Sequence, residues 1–108
     1  MTVSVSRETE AQLRQYQALL HKWQEKINLV SPTTLKESWS RHFEDSLQLL
    51  PLLPEGPAAL YDLGTGAGFP GLALAICRPD LAVTLVESDA KKCAFLQAVS
   101  RETGVKVA

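Results

Sequence analysis

Residues 60–71, Leu-Tyr-Asp-Leu-Gly-Thr-Gly-Ala-Gly-Phe-Pro-Gly, constrain the fold more than any other stretch of this chain. An apolar run ends near a carboxylate, passes through alternating glycines and enters a second apolar segment of helical length. Backbone this bare lets a ligand come within van der Waals distance of the main chain. The helix that follows presents N–H groups without intrahelical partners. A strand that leads through such a turn into a helix opens a parallel α/β unit, whose crossover must return over the sheet.

The rest of the chain supports that reading. Ala59–Leu63 reads as the first strand and Pro70–Cys77 as its helix, with proline tolerated in the first turn. Arg78-Pro79-Asp80 turns the chain, Ala82–Glu87 reads as the second strand, and Ala90–Thr103 as the second helix. Gly104 stands where a helix C-cap glycine belongs, and Val105–Ala108 opens a third strand. Strand one of a doubly wound sheet takes a further neighbour from later in the sequence. Nothing after residue 108 supplies one, so the chain is expected to be the N-terminal half of a larger protein, with an open strand edge that invites aggregation.

Upstream, Leu13, Tyr16, Leu20, Trp23, Ile27 and Val30 recur at steps of three and four, which predicts one helical stripe over Thr9–Val30, with Thr9 and Gln12 as a capping box. Ser31-Pro32 is expected to stop it. A second helix is expected from Thr34, with Thr34 and Glu37 at capping-box spacing, carrying Leu35, Trp39, Phe43, Leu47 and Leu50 inward until Pro51 ends it. Pro51, Pro54, Gly56 and Pro57 form a stiff linker. The expected organisation is therefore a helical cap and linker over residues 1–57, then the first half of a Rossmann-like unit over 58–108.

Composition excludes more than it selects. Eleven basic residues against twelve acidic give a net charge of −1, so no overall basic balance points to nucleic acid. No apolar run reaches the roughly 18 residues that span a bilayer, and Met1–Glu10 has no signal-peptide pattern. Cys77 and Cys93 lie 16 apart in no metal-like spacing, as expected for reduced thiols without a metal.

The glycines match G-x-G-x-x-G from Gly66 to Gly71, and Glu87 closes the next strand at the distance expected of a ribose-binding carboxylate. Both NAD and S-adenosylmethionine carry that ribose. Asp62 separates them. A carboxylate two residues before the first glycine repels a pyrophosphate but favours the amino group and sulfonium of S-adenosylmethionine. The cofactor residues the motif points to are Asp62, Gly66, Gly68 and Glu87, with Phe69 either lying against the cofactor or sealing the helix start. An NAD-dependent oxidoreductase and a non-catalytic binding fragment stand as alternatives.

Leu20-His-Lys-Trp23, Asn28-Leu29, Arg41-His42 with Asp45-Ser46, the Asp62–Gly71 string, Glu87-Ser88, Lys91-Lys92 and Phe95-Leu96 together resemble one family. It is the bacterial ribosomal RNA small subunit methyltransferase G family, also called glucose-inhibited division protein B. The resemblance covers nearly the whole chain. It implies a cytoplasmic enzyme, expected as a monomer, that methylates N7 of one guanine in small-subunit (16S) ribosomal RNA with S-adenosylmethionine. It also implies that Gly64 and Phe69 contact the cofactor, that Gly66, Gly68 and Glu87 line the same pocket, and that further contacts lie beyond residue 108. Guanine N7 has a lone pair and no proton, so no catalytic base is assigned.

Other residues carry two readings each. His42 and Asp45 either face the active site or RNA, or form a hydrogen-bonded pair tying the cap to the α/β unit. Lys91 and Lys92 either meet phosphate or lie on a solvated helix face. His21 and Lys22 are off the apolar stripe and expected in solvent, while Trp23 and Trp39 are expected in the core.

Overall fold

The computed structural model describes residues 5–108. Helix α1 spans Arg7–Gln24, and its N-cap is Ser6, whose hydroxyl accepts from the Thr9 N–H. The expected Thr9–Gln12 box is replaced one turn earlier, and Gln12 instead donates to the carbonyl of Thr103. The apolar stripe holds: Leu13, Tyr16 and Leu20 are fully buried. The helix ends before Val30 because Gln24 folds back, its carboxamide bonding the N–H groups of Leu29 and Val30 and the carbonyl of Val30.

The expected second helix is broken into pieces. Helix α2, Pro32–Lys36, is capped by Ser31 with Pro32 in its first turn, so Ser31-Pro32 starts a helix rather than only stopping one. A π-helical turn, Trp39–Glu44, follows and runs into helix α3, Asp45–Leu47. Pro51 sits inside a 3-10 turn, Leu50–Leu52. The break falls at Glu37, whose φ of −112° and ψ of 32° leave the helical region, and the next residue, Ser38, is a buried hydroxyl shared by Gln17 Nε2 at 2.9 Å and His21 Nε2 at 3.0 Å. His21 is exposed, as expected, and its ring nitrogen is also tied to this segment.

Strands β1, Ala59–Leu63, and β2, Ala82–Val86, pair in parallel with Leu60 opposite Val83 and Leu63 opposite Val86. Helix α4, Gly71–Cys77, and helix α5, Ala90–Thr103, are the crossover elements. Pro70 is the N-cap of α4 rather than its first residue. Gly104 closes α5 in the left-handed conformation, as the sequence predicts. Val105–Ala108 forms no strand among the described residues, and the sheet has two strands, but Ala108 exchanges main-chain bonds with Val83 and Leu85 on the edge of β2 away from β1, the pattern of a parallel neighbour.

Helix α1 packs on both α4 and α5. Leu13, Tyr16 and Leu20 of α1, Phe43 and Leu47 of the broken segment, Leu72 and Ile76 of α4, and Phe95 and Val99 of α5 form one core. Trp23 meets Phe95 edge-on, and Trp39 stacks on Phe43 beneath the Arg14 guanidinium. The architecture is the start of a Rossmann-like methyltransferase fold preceded by helices.

Candidate functional site

In a parallel sheet the carboxyl ends of the strands, with the loops leaving them, form the natural ligand crevice. Here β1 and β2 bring Asp62 and Glu87 to that end, on either side of the glycine loop. Asp62 Oδ2 accepts from Thr65 Oγ1 at 2.8 Å and from the Gly71 N–H at 2.9 Å. One carboxylate therefore folds the loop and holds the first amide of α4, where the helix dipole favours negative charge. Glu87 reaches across, its Oε1 accepting from the Gly66 N–H at 2.8 Å and its Oε2 from the Asp89 N–H at 2.9 Å. These amides, Asp89 first and Gly66 next, hold the Glu87 carboxyl below its ordinary pKa.

The glycines divide by what surrounds them. Gly64 and Gly66 adopt left-handed φ of +66° and +58°, and a Cβ at either would meet nothing within 4 Å. Their bare side faces open space. Gly68, at φ +97°, is enclosed: a Cβ there would lie 2.5 Å from Tyr16 Oη. Its N–H bonds Thr65 and its carbonyl accepts from Leu72. Gly71 is excluded from carrying a side chain by Asp62 Oδ2 and a Leu85 methyl, each 2.7 Å from the Cβ position.

Phe69 is wedged between two rings, stacked on Tyr16 at a centroid distance of 5.1 Å and on His42 at 5.0 Å. Its ring thus seals the helix start, while its backbone remains part of the loop. Tyr16 is the element that sequence reasoning passed over. Read as one more apolar position, it carries a hydroxyl that donates to the carbonyl of Ala67, in the centre of the loop. A tyrosine among aliphatic stripe residues is the available signal, because a buried phenol needs a partner. Burial, and then the charge of Asp62, raise its pKa well above 10.0.

His42 and Asp45 are not hydrogen-bonded to each other among the described residues; His42 joins cap and loop by stacking. The N–H groups of Lys91 and Lys92 donate to the N-cap Asp89, and their side chains border a cleft shared with Lys26 and Asn28. Cys77 and Cys93 are free thiols; burial lifts Cys77 to about 11, and Cys93 donates to the Glu87 carbonyl.

Residues 9–108 match the family model described as rRNA small subunit methyltransferase G. Among named relatives, Ribosomal RNA small subunit methyltransferase G of Paramagnetospirillum magneticum is 58% identical over 104 residues, covering 95% of this chain and 50% of that protein. The protein of the same name from Rhodospirillum centenum is 58% identical over 101 residues, covering 93% and 46%. That from Rhodospirillum rubrum is 55% identical over 106 residues, covering 97% and 52%. The chain spans about half the length of the curated relatives it matches.

Proposed function

The chain belongs to the rRNA small subunit methyltransferase G family, and from that premise we propose that it is the N-terminal part of an S-adenosylmethionine-dependent enzyme methylating guanine N7 in small-subunit ribosomal RNA. The observation that carries this reading is the pair of left-handed glycines, Gly64 and Gly66, open on their bare side between Asp62 and Glu87. These residues fit S-adenosylmethionine better than a dinucleotide. A pyrophosphate would need the Gly66 and Gly71 amides, and both are taken by carboxylates.

Held by Asp62, Gly64, Gly66 and Glu87, S-adenosylmethionine would supply an electrophilic methyl group to the guanine N7 lone pair, with a neutral thioether as the leaving group. No proton leaves N7, so the chain's residues bind and orient rather than abstract. Asp62 places negative charge beside the loop and fixes its shape. Glu87 has lone pairs left to accept from the ribose hydroxyls while it holds Gly66. Gly64 and Gly66 admit the ligand to the main chain, Phe69 fixes the loop against the cap, and Gly68 keeps the loop close to Tyr16. Residues 1–57 serve as a cap over the 58–108 unit. The substrate is ribosomal RNA or the small ribosomal particle, and the compartment is the cytoplasm. Among the described residues no helix is long and apolar enough to cross a membrane.

Calorimetric titration of the full-length protein with S-adenosylhomocysteine and, separately, with NAD tests the cofactor. The first is expected to bind and the second not. Mass spectrometry of small-subunit RNA after incubation with enzyme and donor is expected to show one new 7-methylguanine. Binding of NAD alone, or methylation of another atom, overturns the reading.

A further inference from the structure

Beside Phe69 and Pro70, on the side where the π-helical turn meets the loop, lies a cleft of about 280 Å³ lined by Arg41, His42, Asp45, Ser46 and Gln48. It has room for one nucleobase, and its wall is the residue that follows Gly68. Three observations mark it. First, π-helical turns are rare and recur at functional sites, and this one carries Arg41 and His42 and hands the chain to Asp45. Second, His42 Nε2 is buried with no hydrogen-bond partner among the described residues, a cost that folded proteins seldom leave in place without a use. Third, the polar groups are not equally free. Arg41 is held by Glu37 at 3.1 Å and Ser46 donates to the His42 carbonyl at 2.7 Å, whereas the Asp45 carboxylate is exposed and makes no side-chain hydrogen bond among the described residues.

An unpaired carboxylate selects its ligand by chemistry. It accepts two hydrogen bonds side by side and repels phosphate. Of the four RNA bases only guanine presents two adjacent donors on its Watson–Crick edge, N1–H and the N2 amino group. Adenine and cytosine place an acceptor next to their amino group, and uracil has a single N–H between two carbonyls. A guanine held by that edge turns N7, on its opposite side, away from the carboxylate and toward the end of the cleft where Phe69 and Pro70 continue the glycine loop. We propose that this cleft receives the target guanine, taken out of its stack, with Asp45 as the specificity-determining residue that accepts from N1–H and N2 and the His42 ring as the wall that orients the base. The inference deepens the methyltransferase reading and rests on it.

The test uses full-length enzyme, S-adenosylmethionine and small-subunit RNA in which the methylated guanine, once mapped, is replaced by inosine. Inosine keeps N7, O6 and N1–H and lacks only the N2 amino group. Wild-type enzyme is expected to lose about tenfold or more in kcat/KM on inosine, the usual weight of a hydrogen bond to a charged group. Asp45→Asn is expected to lower kcat/KM on guanine by a similar or larger factor and to bring the guanine-to-inosine ratio close to one. Asp45→Glu is expected to recover part of the ratio. Affinity for S-adenosylhomocysteine is expected to stay within about twofold in both variants, which also shows that they fold, since Asp45 contacts none of the loop groups. An unchanged ratio in Asp45→Asn overturns the proposal, whether or not the rate falls. Failure of the wild type to bind S-adenosylhomocysteine or to methylate guanine overturns the underlying reading instead.

Discussion

Gly66 and Gly68 are two positions apart and answer opposite demands. At Gly66 a methyl group enters open space and strains only the left-handed backbone; at Gly68 it also collides with Tyr16 Oη, Leu72 and Leu96. Gly66→Ala is therefore expected to cost about 1–2 kcal/mol of stability, the left-handed penalty alone, while greatly weakening S-adenosylhomocysteine. Gly68→Ala is expected to cost about 2–4 kcal/mol, overpacking added to the same penalty. Urea unfolding and calorimetry on the same variants separate the two, and equal stability losses would contradict the division. The sequence shows a row of glycines but not which side each turns to, because that depends on a tyrosine fifty residues upstream. Glu87 supplies a pH counterpart. Its folded pKa is depressed, so the grip on Gly66 is present above the unfolded carboxyl value near 4.5 and is lost as pH falls through the lower folded value. Affinity for S-adenosylhomocysteine is expected to be level through neutral pH and to fall only below that range, with Glu87→Gln already weak at pH 7.

At the scale of elements, the glycine unit and the apolar stripe of helix α1 were legible, and the second half of the cap was not. Strand β1, helix α5 and the Gly104 cap are local: alternation, an N-cap aspartate and a left-handed glycine lie within each segment. The stretch from Ser31 to Leu52 is different. Its apolar positions fit one long helix, yet Ser38 is held in the interior by Gln17 and His21 of α1, and the chain breaks at Glu37 just before it. Only tertiary contact decides that. Ser38→Ala is expected to leave both partners without their shared hydroxyl and to destabilise the protein by about 1–3 kcal/mol, read by urea unfolding. The site shows the same limit. Spacing singles out Asp62 and Glu87 as candidates, but the amides they occupy, and the wedge of Phe69 between Tyr16 and His42, arise from elements far apart in sequence.

For the whole molecule, a radius of gyration of 12.8 Å matches the roughly 13 Å expected of a folded chain of this length. The body is compact, yet one face of its sheet is bare. Tyr61 and Leu63 are 68% and 76% exposed, and Val86, 45% exposed, stands opposite Leu63 in register. Residues paired in register share a face, so these side chains form one apolar strip. Beside it, the outer edge of β1 has no strand partner among the described residues. Covering each large apolar side chain is worth about 1.5–3 kcal/mol, enough to drive association at high concentration. The 108-residue chain is therefore expected to self-associate in concentration-dependent sedimentation, and Tyr61→Lys with Leu63→Glu is expected to suppress this with an unchanged circular dichroism spectrum. A full-length protein that covers the strip is expected to sediment as a monomer at the same concentrations and, unlike the short chain, to gain nothing from the paired substitution. Association that survives the substitution would place the sticky surface elsewhere.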